Sequence, residues 1–278
     1  LGFTLYDPNM NELKFPVGVK PLDFLVSSIS KERITEKVEG IPGQIDYGFN
    51  YSDREASMTF WLRHYHAEHD FLLLVSELNE FLDSQPFFYV AHNYLPTRVI
   101  KITVDENYQP DRILGSMYAK LEVKCNVSGL PFWRTQYTTQ DIEKDGYNAL
   151  VEKYGTADGV NVDYLKYTFT ESEFSIWNGG NVTIDPRNMP LKIELYNMAT
   201  QGNLRIDNLT TGEYHIFYPS FSGNHYVLDG AIFRTASGTN RLRDTNRKYI
   251  SLVPGLNEIK ISNGTFDRAV FTFPFYYK

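Results

Sequence analysis

Three imidazoles stand close together in the run His64-Tyr65-His66-Ala67-Glu68-His69. Neutral imidazole is a good zinc ligand, so this spacing raises a metal-dependent hydrolase using His64, His66 and His69 as one reading. Further histidine ligands could come only from His92, His215 and His225. The one cysteine, Cys125, falls on the apolar side of an alternating segment, which makes it a poor nucleophile or ligand. Carboxylates are scattered and cannot be paired into an acid and a base. No G-x-S-x-G, Walker A or G-x-G-x-x-G pattern occurs. The simpler reading of the histidine run is a polar helical turn that happens to hold three imidazoles.

The run is similar to the HxHxDH motif of the metallo-β-lactamase superfamily, with Glu68 where that pattern carries Asp. That family needs two sheets between layers of helices, and this chain offers about two helices. Catalytic, cofactor and metal sites are therefore expected to be absent, and the protein is expected not to be an enzyme.

What must position these residues is one strong helix, expected over His64 to Ser84. Phe71, Leu74, Val75, Leu78, Phe81 and Leu82 form a stripe at the helical period, with Glu68, Asp70, Glu77, Glu80 and Asp83 on the other faces. Before it, Ala56, Met58, Phe60 and Leu62 alternate with polar neighbours. After it, Ile100, Ile102 and Val104 do the same, and the clearest strand carries Met117, Ala119, Leu121, Val123, Cys125 and Val127 on one side. Period-2 segments of this kind are half-buried strands, so one amphipathic helix should pack on an antiparallel sheet. Residues 1 to about 30 read as short apolar pieces between turns, followed by a strand over Ile29 to Val38.

The 278 residues carry 20 Tyr and 19 Phe, a composition that favours sheets, and a net charge of −7. Residues 1–137 hold 13 basic and 18 acidic groups, 138–165 hold 2 and 6, and 166–278 hold 12 and 10. No segment has the basic excess of a chain that grips phosphate backbones, which argues against nucleic-acid binding. No apolar run reaches membrane-spanning length, and LGFTLYDPNM lacks the features of a signal peptide. The start at Leu1 rather than Met suggests that preceding residues are missing. A single cysteine rules out an internal disulfide and fits maturation in a reducing cytoplasm.

Thr138 to Gly155 reads as a short acidic helix, capped at Thr138 or Thr139, with a thin stripe of Ile142, Leu150, Val151 and Tyr154. From Lys166 onward the chain is wholly β. Leu191 to Tyr196, Leu204 with Ile206, and Tyr214 to Tyr218 read as strands, Asp229-Gly230 as a hairpin turn, and Phe271, Phe273, Phe275 and Tyr277 as one face of a terminal strand. Short strands at this spacing without helices mean a sandwich or jelly roll. Two loops are candidate contact surfaces: Gly40-Ile41-Pro42-Gly43, and the basic cluster Arg234, Arg241, Arg243, Arg247 and Lys248.

Taken in order, these parts resemble the distal tail protein (Dit) family of long-tailed (siphovirus) bacteriophages. The first half has the strand, the Gly40-to-Gly43 loop, a strand ending near Leu62, the amphipathic helix, Phe87-Phe88-Tyr89-Val90, and a long strand ending in Val123-Lys124-Cys125-Asn126. The second half resembles a galectin-like β-sandwich, through Asn178-Gly179-Gly180-Asn181, Pro190-Leu191-Lys192-Ile193, Val227-Leu228-Asp229-Gly230 and Pro254-Gly255-Leu256-Asn257-Glu258-Ile259. The family's Gly-Arg-Asp-Gly loop is Gly40-Ile41-Pro42-Gly43 here, so no charge contact carries over. The fold class is thus expected to be mainly β: an α+β N-terminal domain with one amphipathic helix on an antiparallel sheet, and a C-terminal galectin-like β-sandwich.

The resemblance implies a ring-forming tail domain over 1–137, an acidic linker over 138–165 and the sandwich over 166–278. It implies a structural protein of the virion tail tip, made in the bacterial host cytoplasm and assembling with itself as a homohexamer. Further partners would be the tail tube protein, the tail-associated hub protein and receptor-binding or upper baseplate subunits. No cofactor, sequence-specific nucleic acid or membrane partner is expected. Gly40, Pro42, Gly43, Arg241 and Arg243 are the candidate subunit-contact residues. An alternative is a carbohydrate-binding adhesion module, for which Trp177 is the one Trp of the second half and no His-x-Asn-Pro-Arg pattern lies near it.

Overall fold

The computed structural model describes residues 2–66, 68–145, 157–235 and 237–278. The chain is mainly β and divides into two compact units, residues 1–133 with Lys278, and 134–277.

The first unit holds strands β1 (Phe3–Tyr6), β2 (Glu12–Leu13), β3 (Val19–Val26), β4 (Lys31–Glu36), β5 (Ile45–Tyr51) and β6 (Glu55–Arg63), then helix α1 (Glu68–Asp83). Strands β7 (Phe88–His92), β8 (Leu95–Thr103), β9 (Asp111–Arg112) and β10 (Tyr118–Val127) follow. The main sheet runs β2-β1-β7-β8-β10-β6-β3, with neighbours antiparallel throughout. At its centre Ala56, Met58, Phe60 and Leu62 stand opposite Cys125, Val123, Leu121 and Ala119. All eight are buried, because the period-2 alternation puts them on one side of the pleat.

Helix α1 covers that side with Phe71, Leu74, Leu78 and Leu82 buried and Val75 and Phe81 partly so. The helix starts four residues later than the apolar pattern predicts. Asp70 explains this: its carboxylate accepts the backbone N–H groups of Tyr65 (2.7 Å) and His66 (3.1 Å), holding them outside the helix. Those same bonds hold the Asp70 carboxyl below its usual pKa, the Tyr65 bond contributing most.

Strand β3 escapes the sequence pattern, and a bulge between Pro21 and Asp23 is the cause. The extra residue shifts the inward positions from odd (Val19) to even (Phe24, Val26), so no simple alternation survives. Gly18 admits β3 to the sheet. Its φ is +96°, and a Cβ there would lie 2.4 Å from the Arg63 carbonyl oxygen. Phe3 of β1 meets Phe24 of β3 (5.9 Å) and Phe60 of β6 (5.4 Å), so the sheet curls around its aromatic core.

The short strand β11 (Trp133–Thr135) precedes the second unit's helix α2 (Thr139–Asp145), which lies in the first part of the helix expected from residues 138 to 155; Gly146, Leu150, Val151, Tyr154 and Gly155 lie outside the described residues. Thr138 donates its N–H and hydroxyl to the Asp141 carboxylate. Thr139, fully buried, donates instead to the Phe271 carbonyl (2.8 Å), so this acidic turn is fastened to the second unit.

Strands β12 (Thr168–Phe169), β13 (Glu173–Asn178), β14 (Lys192–Thr200), β15 (Leu204–Asn208), β16 (Glu213–Phe217), β17 (Phe221–Asp229), β18 (Ile232–Thr235), β19 (Gly255–Ser262), β20 (Arg268–Thr272) and β21 (Tyr276–Tyr277) complete the chain. Strands β12 to β20 form two sheets, β12-β20-β14-β17-β18 and β13-β19-β15-β16, with Ile176, Leu195, Ile206, Phe217, Tyr226, Ile259 and Phe271 buried, while β21 pairs with β11. This is a β-sandwich. The terminal aromatic stretch is not one strand: β20 ends at Thr272 and β21 holds only two residues, although Phe271, Phe273, Phe275 and Tyr277 are all buried.

Buried asparagines explain the polar motifs of this unit. Asn178 donates to the carbonyls of Val182 and Leu252 and accepts the Gly180 N–H. Asn257 donates to the carbonyls of Val253 and Gly255, accepts the Val253 N–H, and takes a further hydrogen bond from Asn208. A side-chain amide carries both a donor and an acceptor, so each closes a turn whose backbone groups the ladders leave unpaired.

Candidate functional site

Strands β4 and β5 form a two-stranded sheet of their own, outside the main one. All six residues of β4 are exposed, and only Gly48 and Tyr51 of β5 are partly covered. A lone hairpin is marginally stable in water, so local bonds must hold it. Arg33 pairs with Asp46 at 2.8 Å, the Tyr47 hydroxyl donates to Glu36 at 2.8 Å, and the Lys31 ammonium lies 4.6 Å from the centre of the Phe49 ring.

The base of the hairpin is clamped. The Ser27 N–H donates to the Glu55 carbonyl, Ser52 N–H to the Ser30 carbonyl, and Ser30 Oγ to the Asp53 carbonyl. Arg54, 9 % exposed, donates to the carbonyls of Ser27 (2.8 Å) and Pro131 (3.1 Å). Burial lowers its pKa, but a guanidinium starts so high that it keeps its charge at any ordinary pH.

The arm therefore projects with a fixed root and an apolar surface. Ile34, Val38, Ile41, Ile45, Tyr47 and Phe49 are all exposed, Tyr47 at 59 % and Ile41 at 54 %. Exposed apolar side chains grouped in this way are a candidate contact surface. Gly40 and Gly43 sit at the tip with φ of +84° and +87°, and a Cβ at either would touch nothing. These glycines serve the turn, and Pro42 between them is likewise exposed.

Arg241 and Arg243 belong to the second unit, beside a 3-10 turn over Leu242–Asp244. Arg241 is committed to Asp244 at 2.9 Å, and Arg234 to Asp229 at 2.7 Å, whereas Arg243 is exposed. The basic cluster of the sequence is thus divided by local ion pairs. Exposed pairs of this type add little stability, about 0–1 kcal/mol each.

The three histidines do not converge. His64 is buried, with Nδ1 2.9 Å from the His66 carbonyl oxygen and its ring edge-on to Phe71, while His66 and His69 are exposed. Among the described residues, no group of three or more His, Cys, Asp or Glu side chains is placed to hold a metal ion. Cys125 is buried, and its thiol pKa is pushed up to about 12 by that burial. Trp177 donates from Nε1 to the Gly159 carbonyl and stacks on Tyr164 at 6.1 Å, so it serves packing in its own unit.

The projecting arm was not recognisable as one. Its sequence reads as strand and glycine turn, and only tertiary placement shows that neither face meets the core. The exposed Ile34, Ile45, Tyr47 and Phe49 would pass for core residues by type.

Residues 16–126 match the family model described as a phage tail protein RIFT-related domain. No curated protein sequence matches the chain. Among solved structures, the SPP1 Dit (gp 19.1) protein, described as a paradigm of the hub adsorption apparatus in phages infecting Gram-positive hosts, superposes with a TM-score of 0.67 at 14 % identity, covering 98 % of this chain and 99 % of that one. A chain of the phage p2 baseplate in its activated conformation with Sr gives a TM-score of 0.46 at 10 % identity, covering 98 % and 97 %. Residues 16–126 thus match a phage tail protein RIFT-related domain, and the chain as a whole shares the fold of the SPP1 Dit protein.

Proposed function

We propose that this protein is a structural component of a phage tail tip, in which six copies form a ring through their first units. The ring joins the tail tube protein on one side to the tail-associated hub protein on the other. The galectin-like second units scaffold receptor-binding or upper baseplate subunits, with the acidic 138–165 segment as a further docking element. The role is mechanical rather than catalytic, and its place is the virion, after synthesis in the host cytoplasm.

The observation that carries this reading is the β4–β5 arm, an exposed apolar hairpin on a clamped root. In a closed ring each copy offers one surface to the next, so an arm that reaches a neighbour repeats around the circle. Gly40, Pro42 and Gly43 at its tip are the contact residues of that reading. Strand β3, at one edge of the main sheet, offers unpaired backbone groups as a second joining surface. Arg243 is a candidate for contacts made by the second unit. A net charge of −7 suits a conduit that must let DNA pass without gripping it.

Light scattering on a sizing column, across a range of loading concentrations, tests the ring. The intact chain is expected to reach six times the 32.2 kDa protomer mass at high loading. A variant in which a two-residue Asn-Gly turn replaces residues 31–51 is expected to stay monomeric. Equal assembly with and without the arm would remove its role, and a monomer at every loading would count against self-association.

A further inference from the structure

The second unit has an open cleft of about 440 Å³, built from three segments far apart in sequence: the turn at Asp185–Arg187, the start of β16, and residues 247–251. Its charges fall into two sets. Asp185 and Arg187 neutralise each other, the guanidinium Nε donating to both carboxylate oxygens at 2.9 and 3.0 Å. One oxygen of Glu213 accepts the N–H and hydroxyl of Ser251 at 2.7 and 2.6 Å. Two cations remain. Among the described residues Arg247 has no ion-pair partner, and Lys248 meets no carboxylate: its ammonium donates to the Tyr214 hydroxyl at 3.2 Å and lies 4.3 Å from the centre of that ring.

The wall that carries these cations is held firmly. His215, fully buried, donates from Nδ1 to the Lys248 carbonyl (3.0 Å) while its Nε2 accepts from the Tyr226 hydroxyl (2.9 Å). Asn246 donates to the Tyr214 carbonyl and accepts the Ile216 N–H, pinning the segment to β16. Arg247 itself sits in the left-handed region at φ +55°, a conformation disfavoured for a non-glycine residue. The surrounding bonds keep it there.

Two cations without a carboxylate partner on a fixed wall attract an anion, but the rest of the lining asks for more. The second carboxylate oxygen of Glu213 and the phenol oxygens of Tyr214 and Tyr249 offer acceptors, which a fully ionised phosphate could not use. Ionised acidic peptide side chains carry no donors for them. Two cations are also too few for a nucleic-acid track. We infer that this cleft binds a polyhydroxylated anion, a glycan or polyol chain bearing phosphate or carboxylate groups, whose charge meets Arg247 and Lys248 and whose hydroxyls donate to the acceptors opposite. The inference goes beyond the ring and does not depend on it.

Isothermal titration of the full chain tests it with four probes: a poly(glycerol phosphate) oligomer, an oligogalacturonate, a neutral maltooligosaccharide and hexaglutamate. One of the first two is expected to bind at least tenfold tighter than the last two, and which one does identifies the anionic group. The double variant Arg247→Asn with Lys248→Ser is expected to weaken that binding at least tenfold; Asn tolerates the left-handed backbone. Tyr214→Phe, which removes one oxygen and no ring, is expected to weaken it about threefold and serves as the readout if the double variant does not fold. Binding of neither charged polymer, hexaglutamate binding equally well, or variants that bind unchanged would overturn the assignment. Protomer mass measured on the same samples keeps this result separate from that of ring assembly.

Discussion

Gly159 and Gly179 meet backbone to backbone. A Cβ on Gly179 would lie 2.5 Å from the Gly159 carbonyl oxygen and 2.6 Å from Phe275 Cε2, and one on Gly159 would lie 2.2 Å from the Gly179 carbonyl oxygen. Neither position has room for a side chain, so the Asn178-Gly179-Gly180-Asn181 motif is explained by close approach rather than by ligand contact.

Gly179→Ala is therefore expected to destabilise the second unit by about 1–3 kcal/mol, the usual range for overpacking. Urea unfolding followed by tryptophan fluorescence measures it. Gly212→Ala, at φ +74° with open space around it, is the comparison for backbone strain alone and should cost about 1–2 kcal/mol.

Arg54→Met should lower the melting temperature and free the root of the β4–β5 arm. It removes two charge-assisted bonds to backbone carbonyls, each worth roughly 1.5–3 kcal/mol. Hydrogen exchange should then rise at residues 27–30 and 52–55. Unchanged exchange there would show that Arg54 does not clamp the hairpin.

Tyr47→Ser with Phe49→Ser should block assembly while leaving the protomer folded. Both rings are exposed and neither belongs to the core of the first unit. The check is a sizing column beside a thermal melt. A lower melting temperature with assembly intact would contradict the assignment of this face.

Stability should fall as the pH drops from about 6.5 towards 4. Burial is the main cause that depresses the His215 pKa to about 4, against 6.5 when unfolded, so below 6.5 the unfolded chain takes up a proton that the folded one refuses. The loss should approach about 3 kcal/mol near pH 4. His92, also lowered by burial, pulls in the same direction. Urea midpoints at pH 7 and pH 5 measure the slope, which His215→Gln should flatten.

Cys125 should ignore thiol reagents at pH 8 until the first unit unfolds, because burial raises its pKa to about 12 and leaves almost no thiolate. Labelling at the same rate in native and denatured protein would show that the β6–β10 sheet opens readily.

Helix α1 and the β6–β10 pair were legible because their inward residues keep an unbroken period, 3.6 in one case and 2 in the other. Strand β3 was not, since its bulge changes parity at Pro21, and the start of α1 was misread because Asp70 captures two N–H groups that the apolar stripe does not see. Gly40, Pro42 and Gly43 were visible as a turn, but the exposure of the arm beneath them depends on where the main sheet lies. The cleft of the second unit was least legible of all. Arg187 lies 60 positions from Arg247, while the neighbours that made the sequence cluster conspicuous, Arg234 and Arg241, are neutralised locally.

Thr135 and Phe275 are 140 positions apart, yet the Thr135 N–H donates to the Phe275 carbonyl at 2.9 Å and Thr135 Oγ1 accepts the Phe275 N–H at 3.0 Å. Thr139 and Phe273 repeat the exchange further in. The second unit is thus zipped shut where the chain enters and leaves it. A segment closed in this way behaves as a cassette: recombination that cuts on both sides of the zip would remove or exchange it whole.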